Sequence, residues 1–119
     1  MSIRIDDVIG VHAQALQVRM QRSEILAANL ANVDTPGFQA RDIDFASAMN
    51  RLEAGEAFDG LALDTTLKYR VPYQASLDGN TVELSVEQAE FSRNSMDFQT
   101  SLTFLTMKFS GLKKAIEGR

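Results

Sequence analysis

Both ends of this chain carry residues that alternate spacings of 4 and 3, a heptad-like pattern that commits each end to a long helix packed lengthwise against another. From about residue 5 to 33 the seam runs through Ile9, Ala13, Leu16, Met20, Ser23, Ala27 and Leu30. From about residue 86 to 116 a stronger seam runs through Phe91, Ser95, Phe98, Leu102, Leu105, Phe109, Leu112 and Ile116. Asp6 and Asp7 suit the positive end of the first helix dipole, and Lys113 and Lys114 suit the negative end of the second. Gly10 weakens the first helix by up to about 1 kcal/mol relative to Ala. Gly118 is a natural stop for the second.

The residues between the helices follow different rules. Thr35-Pro36-Gly37-Phe38 places Pro and Gly at the central positions of a type II turn, and Pro36 biases Thr35 out of helix, so the first helix ends near Val33. Residues 46–66 give mixed signals: ASAMNRLEAGEAF has the makings of a short helix, but Gly55 and Gly60 interrupt it. Further on, Tyr69, Val71, Tyr73, Ala75 and Leu77 alternate with polar residues and Pro72, and Val82, Leu84 and Val86 alternate after Asp78-Gly79-Asn80. This predicts a β-hairpin turning at Asp-Gly, with Pro72 restricting its first strand to an edge. The expected fold is therefore mainly α, with long terminal helices pairing as a coiled-coil-like hairpin and a short middle segment holding a β-hairpin and loops. Its parts are residues 1–34, 35–85 and 86–119.

The backs of the helices constrain function. Val11, Val18 and Ile25 lie opposite the first seam, and Met96, Thr100, Thr103 and Met107 opposite the second. Charge is sparse there: between Val8 and Val33 only Arg19, Arg22 and Glu24 are charged, and Phe98 to Met107 carries none. An ordinary surface helix buries one stripe and presents charge on the other side. A two-helix hairpin covers one face of each helix and leaves apolar surface of the kind that marks interaction sites. The expectation is that other subunits cover the second faces. The alternative is a compact bundle in which the middle segment folds back over them.

Composition excludes several chemistries. A net charge of −4 gives no attraction for nucleic acid or anionic lipid. The absence of cysteine removes disulfides, thiolate nucleophiles and cysteine-based zinc sites. No apolar run approaches the ~20 residues needed to span a membrane. The first residues lack the apolar core of a cleaved secretory signal, so export, if it occurs, is expected to use another route. His12, the single histidine, has no partner at metal spacing and reads as a packing or capping residue. Asp42 and Asp44 beside Arg41 read as solvated, or as pairing with Arg41 or Arg70 at a subunit contact, rather than as a metal or acid–base site. Asp78-Gly79-Asn80 lacks the remaining ligands of a calcium loop and reads as a turn. No catalytic set, phosphate-cradling loop, cofactor or metal site is predicted.

The segment from Ala27 to Phe38, AANLANVDTPGF, resembles the signature of the flagellar rod, hook and hook-associated family, approximately A-N-N-x-A-N-x-x-T-P-G-[YF]. Ala28 stands where that family usually has Asn, which removes one side-chain hydrogen bond. Physically the motif is a helix ending, in which Asn29 and Asn32 bond nearby backbone and the Thr-Pro-Gly turn redirects the chain. Phe38 to Phe45, FQARDIDF, and Asp78 to Glu87 are similar to stretches of the proximal-rod branch, as is the run from Phe98 toward Ile116. The resemblance covers about residues 5–45 and 70–117, and residues 46–68 match nothing.

What the resemblance implies is a structural subunit and not an enzyme. Such proteins pair their terminal helices and stack around a central export channel. They lie in the basal-body rod, in the periplasmic space, after passage through the flagellar type III export apparatus without a cleaved signal. The implied partners are copies of the chain, other proximal rod proteins, the ring–rod junction protein and the membrane-ring protein. The residues expected to carry assembly are Leu16, Met20 and Leu30 on the first helix, with Asn29, Asn32, Thr35, Pro36, Gly37 and Phe38 at its exit. On the second helix they are Phe91, Met96, Phe98, Leu102, Leu105, Met107, Phe109, Leu112 and Ile116. The other function class compatible with these helices is a soluble adaptor or export chaperone.

Overall fold

A computed structural model of the chain describes residues 5–53 and 67–118. Helix α1 runs Ile5–Ala31, strand β1 Arg41–Ile43, helix α2 Phe45–Glu53, strand β2 Leu67–Tyr69 and helix α3 Leu84–Glu117. At 1.5 Å per residue, α1 and α3 extend about 40 and 50 Å, and the molecule is a rod of 64 × 26 × 18 Å. The two helices run antiparallel: Asn29 bonds Glu87, Arg19 bonds Asp97, and His12 stacks on Phe104. The paired long helices and the helical class are as the heptads predict. Asp6 and Asp7 fall in the first turn of α1, but their side chains lie outside the described residues, as do Gly55 and Gly60.

The exit from α1 follows the turn chemistry. The Asn32 N–H reaches the Ala28 and Asn29 carbonyls at 3.2 and 3.1 Å, and the Phe38 N–H closes a turn on the Thr35 carbonyl at 3.2 Å. Gly37 has φ +75°, the left-handed conformation that the third position of a type II turn demands. At the far end, Gly118 terminates α3 with φ 70° and donates its N–H to the Lys114 carbonyl.

The expected hairpin about Asp78-Gly79 does not form. The turn is present, with Gly79 at φ +77°, but the described sheet pairs β1 with β2 antiparallel, Arg41 opposite Tyr69 and Ile43 opposite Leu67. The reason lies in where the backbone groups go. Pro72 has no N–H to offer a ladder. The Asp78 carbonyl and Thr81 N–H bond Gly37 and Phe38 at 2.8 and 2.9 Å, and the Arg70 N–H bonds the Ala40 carbonyl at 2.8 Å. Val71, Tyr73 and Leu77 are left exposed, and Leu84 and Val86, read as strand, begin α3.

Residues 45–53 do form a helix, capped by Asp44, whose carboxylate accepts from the Ser47 N–H and hydroxyl at 3.3 and 2.9 Å. With β1, this helix covers part of the back of α1. Val18, Ile43 and Ala48 are buried together, with Ile25, Phe45, Met49 and Leu67 packed around them. For this stretch of α1 the second face is covered by the chain's own middle segment, the compact arrangement. Val18 and Ile25 are therefore not available to another subunit, whereas Val11 remains exposed. Among the described residues, nothing covers the back of α3 in this way, where Met96 and Met107 are exposed.

Candidate assembly face and the polar clasp behind it

Helix α3 presents different residues to α1 than its apolar seam predicts. The half-buried and buried positions include the heptad-spaced line Glu87, Phe91, Asn94, Phe98, Ser101, Leu105, Lys108 and Leu112, with Val86, Glu90, Ser95 and Asp97 half-buried beside it. Phe91, Phe98, Leu105 and Leu112 belong to the predicted seam. Leu102, Phe109 and Ile116 belong to it as well but are 44, 50 and 76% exposed. Polar residues occupy the space they vacate. Met96 and Met107, placed on the back of the helix by the sequence, are there and exposed at 69 and 65%. Phe104, on a third side, is half exposed and stacks on His12 with ring centroids 6.1 Å apart, which gives the lone histidine its packing role. On α1, Leu16 and Leu30 are half-buried, while Met20 is exposed beside a groove of about 340 Å³ shared with Phe98. A second groove, of about 330 Å³, is lined by Ile9, Phe109, Leu112 and Ile116.

At the other end of the hairpin an ion-pair network joins α1, β1, the stretch after β2, and α3. Arg22 makes a two-pronged contact with Asp42, at 2.8 and 3.0 Å, and reaches Glu90 at 2.8 Å. Arg70 donates at 2.9 Å to Asp42 Oδ2, an oxygen it shares with Arg22, and lies 2.8 Å from Glu87, as an ion pair whose N–H is not directed along the hydrogen-bond axis. Glu87 is wholly buried and accepts from Asn29 Nδ2 at 3.0 Å. Asn29 also binds the main chain of Arg41 twice, donating to its carbonyl at 2.7 Å and accepting from its N–H at 3.1 Å.

The electrostatics are reciprocal. Burial pushes the Asp42 carboxyl up, but the hydrogen bond and charge of Arg22, the Ile43 N–H and the charge of Arg70 outweigh it and hold Asp42 below the usual carboxylate range. The Asp42 hydrogen bond in turn raises Arg22 further, against the opposing effect of burial. Asp44 is held down to about 2, chiefly by the Lys68 hydrogen bond and then by Ser47. Asp42 thus pairs with Arg70 within one chain rather than across a subunit contact, and Asp44 is a helix cap paired with Lys68.

The helix-exit motif is clasped by the distant turn. Asn80, buried, directs Nδ2 at the carbonyls of Asn32, Val33 and Thr35, at 3.0, 2.9 and 2.8 Å. Its Oδ1 accepts from the Val82 N–H at 2.7 Å, and Thr81 Oγ1 accepts from the Ala40 N–H at the same distance. Asn32 closes its own helix on the Ala28 carbonyl and receives the Thr35 hydroxyl. Thr35, Pro36 and Gly37 stay at the surface with Phe38 half-buried. Neither the clasp nor the network is predicted by the heptads. The available signal was Arg22, a charge stranded on a nearly uncharged helix, together with the Asp-Gly-Asn run.

The fold and its clasp define a class of subunit: an antiparallel helical hairpin in which the start of α1 lies beside the end of α3, locked at the opposite end by its middle segment. The family described as flagella basal body rod protein matches residues 9–39, the stretch that contains the clasped helix exit. The chain is 44% identical to flagellar basal body rod protein FlgB of Aeromonas hydrophila over 99% of this chain and 98% of the relative. It is 42% identical to that of Salmonella typhimurium, covering 97 and 96%, and 39% identical to that of Escherichia coli K12, covering 96% of each. The chain belongs to the FlgB family of flagellar basal body rod proteins.

Proposed function

We propose that this chain is a structural, non-enzymatic subunit of the proximal rod, which self-assembles through its terminal helices around the export channel. The observation that carries this reading is the apolar surface that α3 leaves exposed around its circumference. Met96 and Met107 on its back, Leu102 and Phe109 beside the helix pair and Phe104 on a third side are exposed, with no charge between residues 98 and 107. Copies of the chain, other proximal rod proteins, the ring–rod junction protein and the membrane-ring protein are its partners. It reaches the periplasmic rod through the flagellar type III export apparatus without a cleaved signal. The Asn29, Asn32 and Thr35–Phe38 exit contributes indirectly, by fixing the angle at which the middle segment leaves the hairpin.

A photo-crosslinking residue in place of Phe104, in flagellated cells, tests this. The reading expects adducts with further copies of the chain or with other rod proteins in purified basal bodies. Adducts only with soluble proteins, and none in basal bodies that contain the chain, would favour the adaptor role and contradict it.

A further inference from the structure

Helix α3 has two ways to face α1. One buries its continuous apolar seam through Leu102 and Phe109. The other, which the structure adopts, is turned by roughly 40° at 100° per residue and buries Glu87, Asn94, Ser101 and part of Lys108 instead. The adopted choice is the more polar one, so something specific must select it. Asn94 is wholly buried between the helices and donates to the Arg19 carbonyl at 2.8 Å and to Ser23 Oγ at 2.7 Å. These bonds fix α3 in both register and rotation. Its Oδ1 has no partner among the described residues, so this polar contact is held at a cost. A buried polar residue in a helix pair is a known means of specifying one arrangement over a more apolar competitor.

We propose that Asn94 is a positioning residue that sets the rotation of α3 about its own axis and so keeps Leu102 and Phe109 facing outward for a neighbouring subunit. The use of that face rests on the assembly function proposed above, whereas the rotation itself does not. Replacing Asn94 with Leu removes the two bonds and lets α3 roll until Leu102 meets α1 and Ser101 turns away.

The chain has no cysteine, so single thiols report this roll directly. Leu102→Cys and Ser101→Cys are made in the full chain, each with Asn94 and with Asn94→Leu, and their reaction rates with a maleimide are compared. The expected result is reciprocal: Asn94→Leu slows modification at position 102 and speeds it at position 101, each on the order of fivefold, as thiol access changes. A residue that merely supported stability would, once lost, speed both. Unchanged rates, or rates that rise or fall together, overturn the proposal. If Asn94→Leu does not fold, Asn94→Ala provides the same comparison. The measurement needs no rod, so reciprocal labelling alongside normal assembly of an α3 back-face variant would refute the assembly reading and leave the positioning role standing.

Discussion

Asn80 clasps a helix exit 48 residues earlier in the chain: its side-chain amide lies 3.0 Å from the carbonyl of Asn32, the residue that follows α1. The same nitrogen also serves the carbonyls of Val33 and Thr35 in the turn that follows the helix. The Thr-Pro-Gly-Phe turn and the Asp-Gly-Asn turn are thereby two halves of one structure. Truncating the amide removes its bonds to all three carbonyls and to the Val82 N–H. The Asn32 and Thr35 carbonyls keep the Thr35 and Phe38 N–H groups, but that of Val33 keeps no other partner among the described residues. Asn80→Ala is therefore expected to lower unfolding stability by about 2 kcal/mol. Amide hydrogen exchange should accelerate over residues 32–40 before it does in α3. A urea transition superimposable on that of the parent chain would remove the clasp from the account.

Gly37 supplies the other half of that contact through its backbone. Nothing lies within 4 Å of where its Cβ would sit, so a side chain meets no clash and the whole effect of substitution comes from φ +75°. Gly37→Ala should therefore cost about 1 kcal/mol, Gly37→Asn less, since Asn tolerates this region, and Gly37→Val more. Thermal unfolding of the three variants checks the order. Equal stability in all of them would contradict the type II turn.

The Arg22–Asp42–Arg70 cluster makes stability depend on pH in a stated direction. Asp42 is held below the ordinary carboxylate value in the folded chain. Its contribution is therefore present above the unfolded value of about 3.9 and is lost as pH falls through the lower folded value. Asp42→Asn leaves two partly buried guanidinium groups short of a counter-charge and should cost about 2–3 kcal/mol near neutral pH. That difference should shrink as pH falls below about 4, because the parent chain then loses the same charge. Urea midpoints of both chains from neutral pH into the acid range test this. A difference that stays constant with pH would show that Asp42 acts through its shape rather than its charge.

Much of this fold was written in local patterns. The 4–3 spacings mark both long helices, Pro36 and Gly37 mark the turn, and Gly118 marks the stop. The patterns gave the wrong pairing for the middle segment, because alternation between Tyr69 and Leu77 states that a strand is possible but not which backbone groups are free to pair. Here the Asp78 carbonyl and the Thr81 N–H were already taken by Gly37 and Phe38. The heptads likewise located the helix seam to within part of a turn. They treat every apolar residue alike and cannot register that Asn94 and Glu87 have partners waiting on α1, at Ser23 and Asn29. Long-range polar bonds decided both points, and such bonds leave no periodic trace in a sequence.

In the proposed function, the back of α3 joins subunits while its inward side joins the two helices of one chain. Leu105 is buried against α1 and Met107 is exposed on the opposite side. Leu105→Asp should unfold the hairpin, because it buries an unpaired charge at a cost of several kcal/mol. Met107→Glu should leave the isolated chain as stable as its parent to within about 0.5 kcal/mol, the usual range for surface substitutions. The most direct measurement follows Met107→Glu in flagellated cells, recording export of the chain and completion of the rod in the same strain. Normal export with failed rod completion is the predicted result. A normal rod built from Met107→Glu chains would show that this face meets solvent, and would contradict the claim.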